Sequence, residues 1–386
     1  MARSILAANL RPAAVRLRKW ATEQALPLWA GAGFDRQHGR FAERLSLGGE
    51  RISGVPVRLM PQARQIFSFG LASRRGWYPG ALPLIEEAYA SMVRDFHRRD
   101  GADGWVFSID DAGAVVDATR DLYAHAFVLV GIASYVQATG RRDALALADE
   151  TLDYVDRHLS AARGGGYLDS SAAGDSIRRQ NPHMHMFEGL LSLWGASSEA
   201  RYLKRAEGLF DLFRTRFFRP DKGVLAEYFD AELKPASGQA GDIVEPGHHF
   251  EWVWLLRNFE RESGRDSQAY VDALFGHADR HGYDEMGLIV DELLGDGSVL
   301  TASHRVWPVT EAIRANVVEA AAGRDRAATK AVHLVEALFD RFLTATPTGG
   351  WIDRLDAHGR PSTDFMPAST LYHILGTVEE LSAAAH

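Results

Sequence analysis

A short element recurs six times along this chain: a turn glycine followed by an apolar or aromatic residue. It stands as His38-Gly39-Arg40-Phe41, Asp103-Gly104-Trp105, Gly165-Gly166-Tyr167, Lys222-Gly223-Val224, Met286-Gly287-Leu288 and Gly349-Gly350-Trp351. The residues after the turn fall at 41, 105, 167, 224, 288 and 351, at intervals of 64, 62, 57, 64 and 63. Several of the elements continue into an acidic residue, as in Tyr167-Leu168-Asp169, Val290-Asp291-Glu292 and Trp351-Ile352-Asp353. An interval near 60 suits one helical hairpin per unit, two helices of about a dozen residues or more plus two loops. Units that cannot bury their own apolar faces must stack, either as an open solenoid or as a closed ring. Neither end of the chain carries a polar capping unit. The sequence therefore predicts closure into an all-α (α/α)6 barrel of six helical hairpins, with short strand or turn elements at the loops. Chance recurrence of turn glycines in an irregular helical bundle is the alternative.

The periodicity between the glycines is helical. Leu122, Phe127, Val130, Ile132, Ala133 and Val136 are too dense for an exposed helix and predict one buried on most sides. Similar stretches run through 145–159, 186–194, 202–213, 250–259, 270–278, 309–321, 327–342 and 370–381, and alternating strand patterns are nearly absent. No Pro/Ser-rich linker or charge block divides the chain, so residues 1–386 read as a single domain. Hydrophobic residues make up 46% and charged residues 24%, the balance of a soluble globular protein. A net charge of -8 opposes a nucleic-acid backbone or an anionic membrane as partner. The sequence has no run of about 18 uninterrupted apolar residues and no signal-peptide core, so a cytoplasmic protein is expected. With no cysteine there is no disulfide framework, thiolate nucleophile or Cys-ligated zinc.

Three segments set histidines beside helix starts. In Asn181-Pro182-His183-Met184-His185-Met186-Phe187-Glu188, the proline suits a first helical turn with Asn181 as its cap, and His185 and Glu188 share a helix face. Glu245-Pro246-Gly247-His248-His249-Phe250-Glu251-Trp252 repeats the arrangement, with His248 and Glu251 three apart. Ser369-Thr370-Leu371-Tyr372-His373 opens the last helix. One histidine at a helix start is usually a cap or a packed polar group. Three in equivalent units converge on one pocket if the inner helices all begin at the same rim. A carboxylate within reach fixes a histidine's tautomer and raises its basicity, which makes acid/base pairs.

A metal site is the rival, but His-x-His does not share a helix face, and the Glu-x-x-His of di-iron bundles is not what stands here. No metal and no cofactor is expected. Arg64, in Arg64-Gln65-x-Phe67-Ser68, would face the axis, where a cation needs an anion or a polar ligand. Trp307 and Glu311 set an aromatic plate and a carboxylate at another helix start, as carbohydrate pockets do; Trp105, Trp252, Trp254 and Trp351 are further candidate plates. The dinucleotide, P-loop, serine-hydrolase and zincin signatures are missing.

Together these residues resemble the N-acylglucosamine 2-epimerase superfamily, which also holds cellobiose 2-epimerases, mannose isomerases and sulfoquinovose isomerases. The resemblance rests on Gly33-Phe34-Asp35, Arg64-Gln65-x-Phe67-Ser68, the 181–188 segment, Pro246-Gly247-His248-x-x-Glu251-Trp252 and Leu371-Tyr372-His373, and so spans about residues 33 to 373. It implies an (α/α)6 barrel and cofactor-free proton transfer at C2 of an open-chain sugar. Residue by residue, His248 and His373 match the acid/base histidines. Arg64, Asn181, His185, Glu251 and Glu311 match polar groups around the sugar, and Tyr123 and Trp307 match more loosely. The chain departs from the pattern at Ser369, where sulfoquinovose and mannose isomerases place glutamine, and in the tandem His248-His249.

The resemblance implies an aldose–ketose isomerase interconverting D-mannose and D-fructose. The 181–188 segment looks most like mannose isomerases and mannose-6-phosphate isomerase-like members. Arg178-Arg179 is the only nearby basic pair, which favours the free sugar. The alternatives are a 2-epimerase on mannose, N-acetylglucosamine or a β-1,4 disaccharide; a glycoside hydrolase using Glu251 with Glu311 or Asp364; and a non-enzymatic binding protein. The expected partner is a small-molecule sugar, with neither nucleic acid nor membrane, and the expected state is a monomer or homodimer.

Overall fold

The computed structural model describes residues 2–172, 177–345 and 347–385. In chain order the helices are α1 (Ala2–Trp20), which runs through a wide turn into α2 (Leu26–Gly31), α3 (Leu59–Arg74), α4 (Ala81–Phe96), α5 (Leu122–Thr139), α6 (Leu145–His158) and α7 (Gln180–Ser197). They continue as α8 (Ala200–Leu212), α9 (Pro246–Ser263), α10 (Gln268–His281), α11 (Val306–Ala321), α12 (Ala327–Ala337) and α13 (Thr370–Ala384). The odd-numbered helices from α3 to α13 pack side by side in a closed inner ring, and α13 returns against α3. The even-numbered helices from α4 to α12 pack outside, each against the inner helix before it. The sixth outer place is taken by α1, which packs on α13. Closure is reinforced where Trp29 stacks on Trp351, ring centroids 5.4 Å apart, joining the end of α2 to the sixth turn element.

The inner helices are apolar nearly all round because they touch neighbours on both flanks. One of them, α5, is long and apolar enough to cross a membrane by length and mean hydropathy (18 residues, 1.3), which corrects the sequence expectation that no segment qualifies. It is 78% buried between α3 and α7, as the core helix of a barrel must be. The outer helices α4, α6, α8, α10 and α12 keep one polar face.

All six turn glycines adopt left-handed backbone, with φ between +66° and +94°. Gly166 shows why a side chain is excluded there. A Cβ would carry the strain of φ +66° and meet His183 Nε2 at 2.8 Å. The residue after each turn is buried in five of the six units, and Tyr167 is partly so. Trp105, Trp252 and Trp351 are fully buried core residues rather than pocket plates.

One kind of short strand pairing recurs around the ring. The segment before each inner helix pairs antiparallel with the loop of the next unit. Val57–Arg58 pairs with Ser108–Ile109, Arg178–Arg179 with Tyr228–Phe229, and Ile243–Val244 with Glu292–Leu294. His304–Arg305 pairs with Arg354–Leu355, and Phe365–Pro367 with Arg44–Ser46. A single bridge, Asp121 to Ser170, fills the sixth place. These six stitches set every inner helix start at the same rim.

Candidate active site

Counting from the residue that ends each stitch (Arg58, Asp121, Arg179, Arg305 and Pro367) or, in the fourth unit, from Glu245 just after it, puts equivalent side chains in layers. Two residues on stand Met60, Tyr123, Asn181, Gly247, Trp307 and Ser369. Six residues on stand Arg64, Phe127, His185, Glu251, Glu311 and His373. A helix repeats every 3.6 residues, so the sixth position of every inner helix faces the same way, toward the axis.

A pocket of about 130 Å³ opens at this rim, lined by Arg64, Tyr123, Asn181, His185, His248 and Glu251, and further by Trp307, His373, Glu245 and Arg305. Eight of the nine side chains picked from the sequence lie in that lining. The ninth, Glu311, is fully buried behind His373 with its Oε1 2.7 Å from His373 Nδ1. Asp364 is exposed and outside the lining, so the carboxylate pair suggested for a hydrolase is not assembled with it.

Four histidine environments follow. His185 Nδ1 lies 2.9 Å from Glu188 Oε2, the pair expected from their spacing, and Tyr372 Oη donates to the other oxygen of Glu188. Burial holds His185 down to about 4 against that carboxylate. The spacing argument fails for His248. Its partner is not Glu251 but Glu227, Oε1 to Nδ1 3.0 Å, with Glu245 at 4.0 Å. Burial alone would lower His248, yet the charges of Glu227 and Glu245 raise it to about 9. His373 is pushed well below 6.5 by burial and by the nearby cations Arg64 and Arg314. Glu311 does not reverse this, because Arg314 Nη1 already donates to both its oxygens at 2.9 and 2.8 Å.

The fourth environment is structural. His249 Nε2 accepts from the backbone N–H of Leu225 (3.1 Å), as His183 does from Tyr167 (2.9 Å) and His125 from Trp105 (3.3 Å). All three stand four residues past their stitch, where Gln62 Oε1 performs the same service for Phe41 N–H (2.9 Å). The tandem histidine is thus one pocket residue beside one member of this repeating set.

Asn181 corrects another expectation. It does not cap α7, which starts at Gln180, and its Oδ1 is buried without a partner in the pocket lining. Arg64 has no carboxylate partner among the described residues. Its Nη2 donates to Tyr123 Oη (2.6 Å), its Nη1 to the Ser369 carbonyl (3.3 Å), and its guanidinium lies 4.0 Å from the Phe127 ring centroid. Glu251 is raised well above the carboxylate range by burial and by Glu311 and Glu188, with Oε1 unpartnered. Trp307 spans the pocket between His248 and His373, at ring distances of 5.0 and 5.7 Å.

Glu227, Tyr372, Arg314 and Arg305 were not picked from the sequence. A clue to Glu227 existed. The acidic residue after the turn recurs as Glu43, Asp169, Asp291 and Asp353, and Glu43, Asp169 and Asp291 hold Arg58, Arg179 and Arg305 beside the following stitch. In the fourth unit that arginine's place is held by Glu245, and Glu227 meets His248 instead.

Among the described residues, three groups bring ligand atoms within 4.8 Å of one another, as a divalent ion would need: His185, Glu188 and Glu251; Glu227, Glu245 and His248; Glu251, Glu311 and His373. Glu188, Glu227, Glu245 and Glu311 already engage a histidine, Tyr372 or an arginine, whereas Glu251, shared by two of the groups, keeps an unpartnered Oε1.

The chain matches the N-acylglucosamine 2-epimerase (GlcNAc 2-epimerase) family over residues 39–377. It belongs to that family, whose members are isomerases and epimerases acting on sugars. It is 34% identical over 381 residues to a mannose-6-phosphate isomerase of Rhizobium meliloti (strain 1021), covering 95% of each chain. It is 26% identical to a D-mannose isomerase of Pseudomonas cannabina pv. alisalensis, covering 84% of this chain and 83% of that one. The cellobiose 2-epimerase structure from Spirochaeta thermophila superposes with a TM-score of 0.85 at 23% identity, covering 97% of each chain.

Proposed function

We propose that this protein is an aldose–ketose isomerase that interconverts D-mannose and D-fructose as free sugars. The observation that carries the reading is the opposition of the two histidines flanking Trp307, with His248 held as imidazolium and His373 held neutral. His373 Nδ1–H donates to Glu311, which leaves Nε2 as the base. In the proposed course, His248 gives a proton to the ring oxygen, the C1–ring oxygen bond breaks, and the anomeric hydroxyl loses its proton to water as the aldehyde forms. His373 then takes the C2 proton, and the electron pair forms an enediolate whose O1 oxyanion meets Arg64. Return of the proton to C1, with the O2 proton passing to O1, gives the ketose. No group beyond these side chains and water is required, and the cytoplasmic, monomeric or homodimeric state expected from the sequence belongs to the same proposal.

A 2-epimerase needs two groups that exchange acid and base roles across C2. The opposite shifts of His248, raised by Glu227 and Glu245, and His373, lowered by burial and nearby cations, favour one fixed acid and one fixed base. The pocket volume lies below the roughly 300–1,000 Å³ of sites for drug-sized ligands, which favours one sugar unit over a disaccharide. A phosphorylated substrate is the second reading, favoured by the name of the Rhizobium meliloti relative, a mannose-6-phosphate isomerase. Against it, Arg305 at the rim pairs with Glu245 (2.8 Å) and Asp291 (2.6 Å), and Arg179 with Asp169 (2.5 Å).

The test is proton and carbon NMR of the purified protein with D-mannose in D2O, repeated with D-mannose 6-phosphate. Fructose with deuterium on carbon is expected from the free sugar. Glucose forming first would make the protein an epimerase, and turnover of the phosphate alone would move the substrate to the phosphorylated sugar.

A further inference from the structure

A second cavity, of about 300 Å³, opens at the opposite end of the barrel, where the inner helices finish. Arg74 is the last residue of α3, and Gln137 and Glu262 lie in the final turns of α5 and α9. At 1.5 Å per residue this mouth lies about 15 Å along the axis from the layer of Arg64. The two cavities share no lining residue, but Glu188 and Arg314 form the inner end of this one. Those two side chains hold the histidines of the front pocket. Glu188 binds His185, and Arg314 fixes Glu311 against His373.

Arg314 also faces the rear. Its guanidinium lies 3.5 Å from the Trp254 ring centroid, and it runs along Gly376, where a Cβ would stand 3.4 Å from its Cζ. The residue is 3% exposed, yet its Nε has no hydrogen-bond partner. A buried unpaired donor costs roughly 1–3 kcal/mol, so an acceptor oxygen in this cavity has a place waiting. The other charges are engaged except Arg74, which is exposed at the mouth in the field of Glu379. Glu380 accepts from Trp254 Nε1 (2.7 Å), Glu262 from Trp194 Nε1 (3.0 Å) and from Arg261 (3.0 Å), and Glu379 from Arg75. The lining combines apolar groups (Phe67, Leu71, Leu191) with the neutral polar Gln137, Ser192 and Asn258. Carboxylates already held by their own donors, indole edges, neutral amides and one buried free donor suit a ligand with hydroxyl oxygens and no net charge.

We propose that the rear cavity is a second binding site for a neutral polyhydroxylated ligand, a sugar or polyol, whose occupancy reaches His373 through Arg314 and Glu311. The site itself is independent of the isomerase reading; only its effect on turnover rests on that reading.

The probe is D-sorbitol, which has no carbonyl and cannot be isomerised. Indole N–H signals of the 15N-labelled protein report both ends of the barrel, Trp307 at the front and Trp194 and Trp254 at the rear. Titration should shift the rear signals with a saturation midpoint different from that of Trp307, and Asn258→Leu should abolish the rear shift alone. In turnover of mannose, sorbitol should change kcat at saturating substrate at least 2-fold in the wild type and not in Asn258→Leu, while raising KM in both. Ser192→Phe, on a different helix, gives the same comparison if Asn258→Leu does not fold. Rear signals that stay fixed while Trp307 shifts, or a kcat effect that persists in both variants, would overturn the proposal. If mannose is not turned over at all, the indole titration still decides whether the site exists.

Discussion

His248 and Glu227 face each other within the fourth unit of the barrel, Nδ1 to Oε1 at 3.0 Å, with both side chains buried. Glu227 is itself held, since its Oε2 accepts from Gln180 Nε2 (3.0 Å) and Gln180 Oε1 accepts from Trp252 Nε1 (2.8 Å). His248 is raised to about 9 from 6.5, so the pair's contribution to stability is complete below about pH 6.5 and is lost as pH rises through about 9. Its service as an acid ends at the same place. Glu227→Gln should pull the alkaline limb of the kcat profile down by about two units, to about 7, and so lower kcat about 10-fold at pH 8. An unmoved alkaline limb would remove Glu227 from the mechanism.

The neighbouring histidine should behave in the opposite way. His249 is lowered to about 3 by burial and by His277, because its neutral Nε2 must accept from Leu225 N–H. A folded value below the unfolded one means the unfolded chain binds the proton first. Stability should therefore fall as pH drops from about 6.5 toward 3, with His125 and His183, each at about 4, adding to the loss. His249→Ala strands the Leu225 amide and should cost about 1–3 kcal/mol. Thermal melts would show a lower Tm with kcat near wild type, whereas His248→Ala should lose turnover about 10²-fold or more with its melt retained.

The fold was legible because turn chemistry repeats. A left-handed glycine and a buried residue after it must recur wherever the same hairpin recurs, and both are read from a single chain. The pocket was legible as far as each side chain acts from its own helix start, as Arg64, Asn181, His185 and Trp307 do. Partners supplied by a loop or by another helix were not. The spacing of His248 and Glu251 promises a pair, but helix side chains lean toward their own N-terminus. His248 therefore leans to the loop that carries Glu227, while Glu251, one turn on, faces the axis with Glu311. Arg314 was invisible for a similar reason, since its role is fixed by Glu311 one turn before it and by Trp254 from a different helix.

Gly247 is the layer position where every other inner helix but one carries a larger polar or aromatic side chain. A Cβ there would stand 2.6 Å from the Trp307 ring, which fixes how deep the indole sits between the two histidines. Gly247→Ala should displace the indole outward, raising KM for mannose about 10-fold, while the methyl's helix propensity leaves the melt close to wild type. Trp307→Phe in the same background should relieve the clash and recover part of the KM. Steady-state kinetics of the three proteins separate a crowded indole from a general loss of folding.

The pair behind His373 should couple stability to chemistry. Glu311 and Arg314 are both buried, and each is the other's main neutralising partner. Glu311→Gln leaves the Arg314 cation uncompensated and should destabilise the fold by about 3–5 kcal/mol, with Tm falling accordingly. It also removes the acceptor that orients His373 Nδ1–H, so kcat should fall more than KM changes. Adding Arg314→Met to Glu311→Gln removes the stranded charge and should return most of the stability without returning kcat. Denaturant melts and kinetics of the two single variants and the double variant make the cycle. Recovery of turnover in the double variant would mean that Glu311 serves only to neutralise Arg314, and that His373 needs no carboxylate behind it.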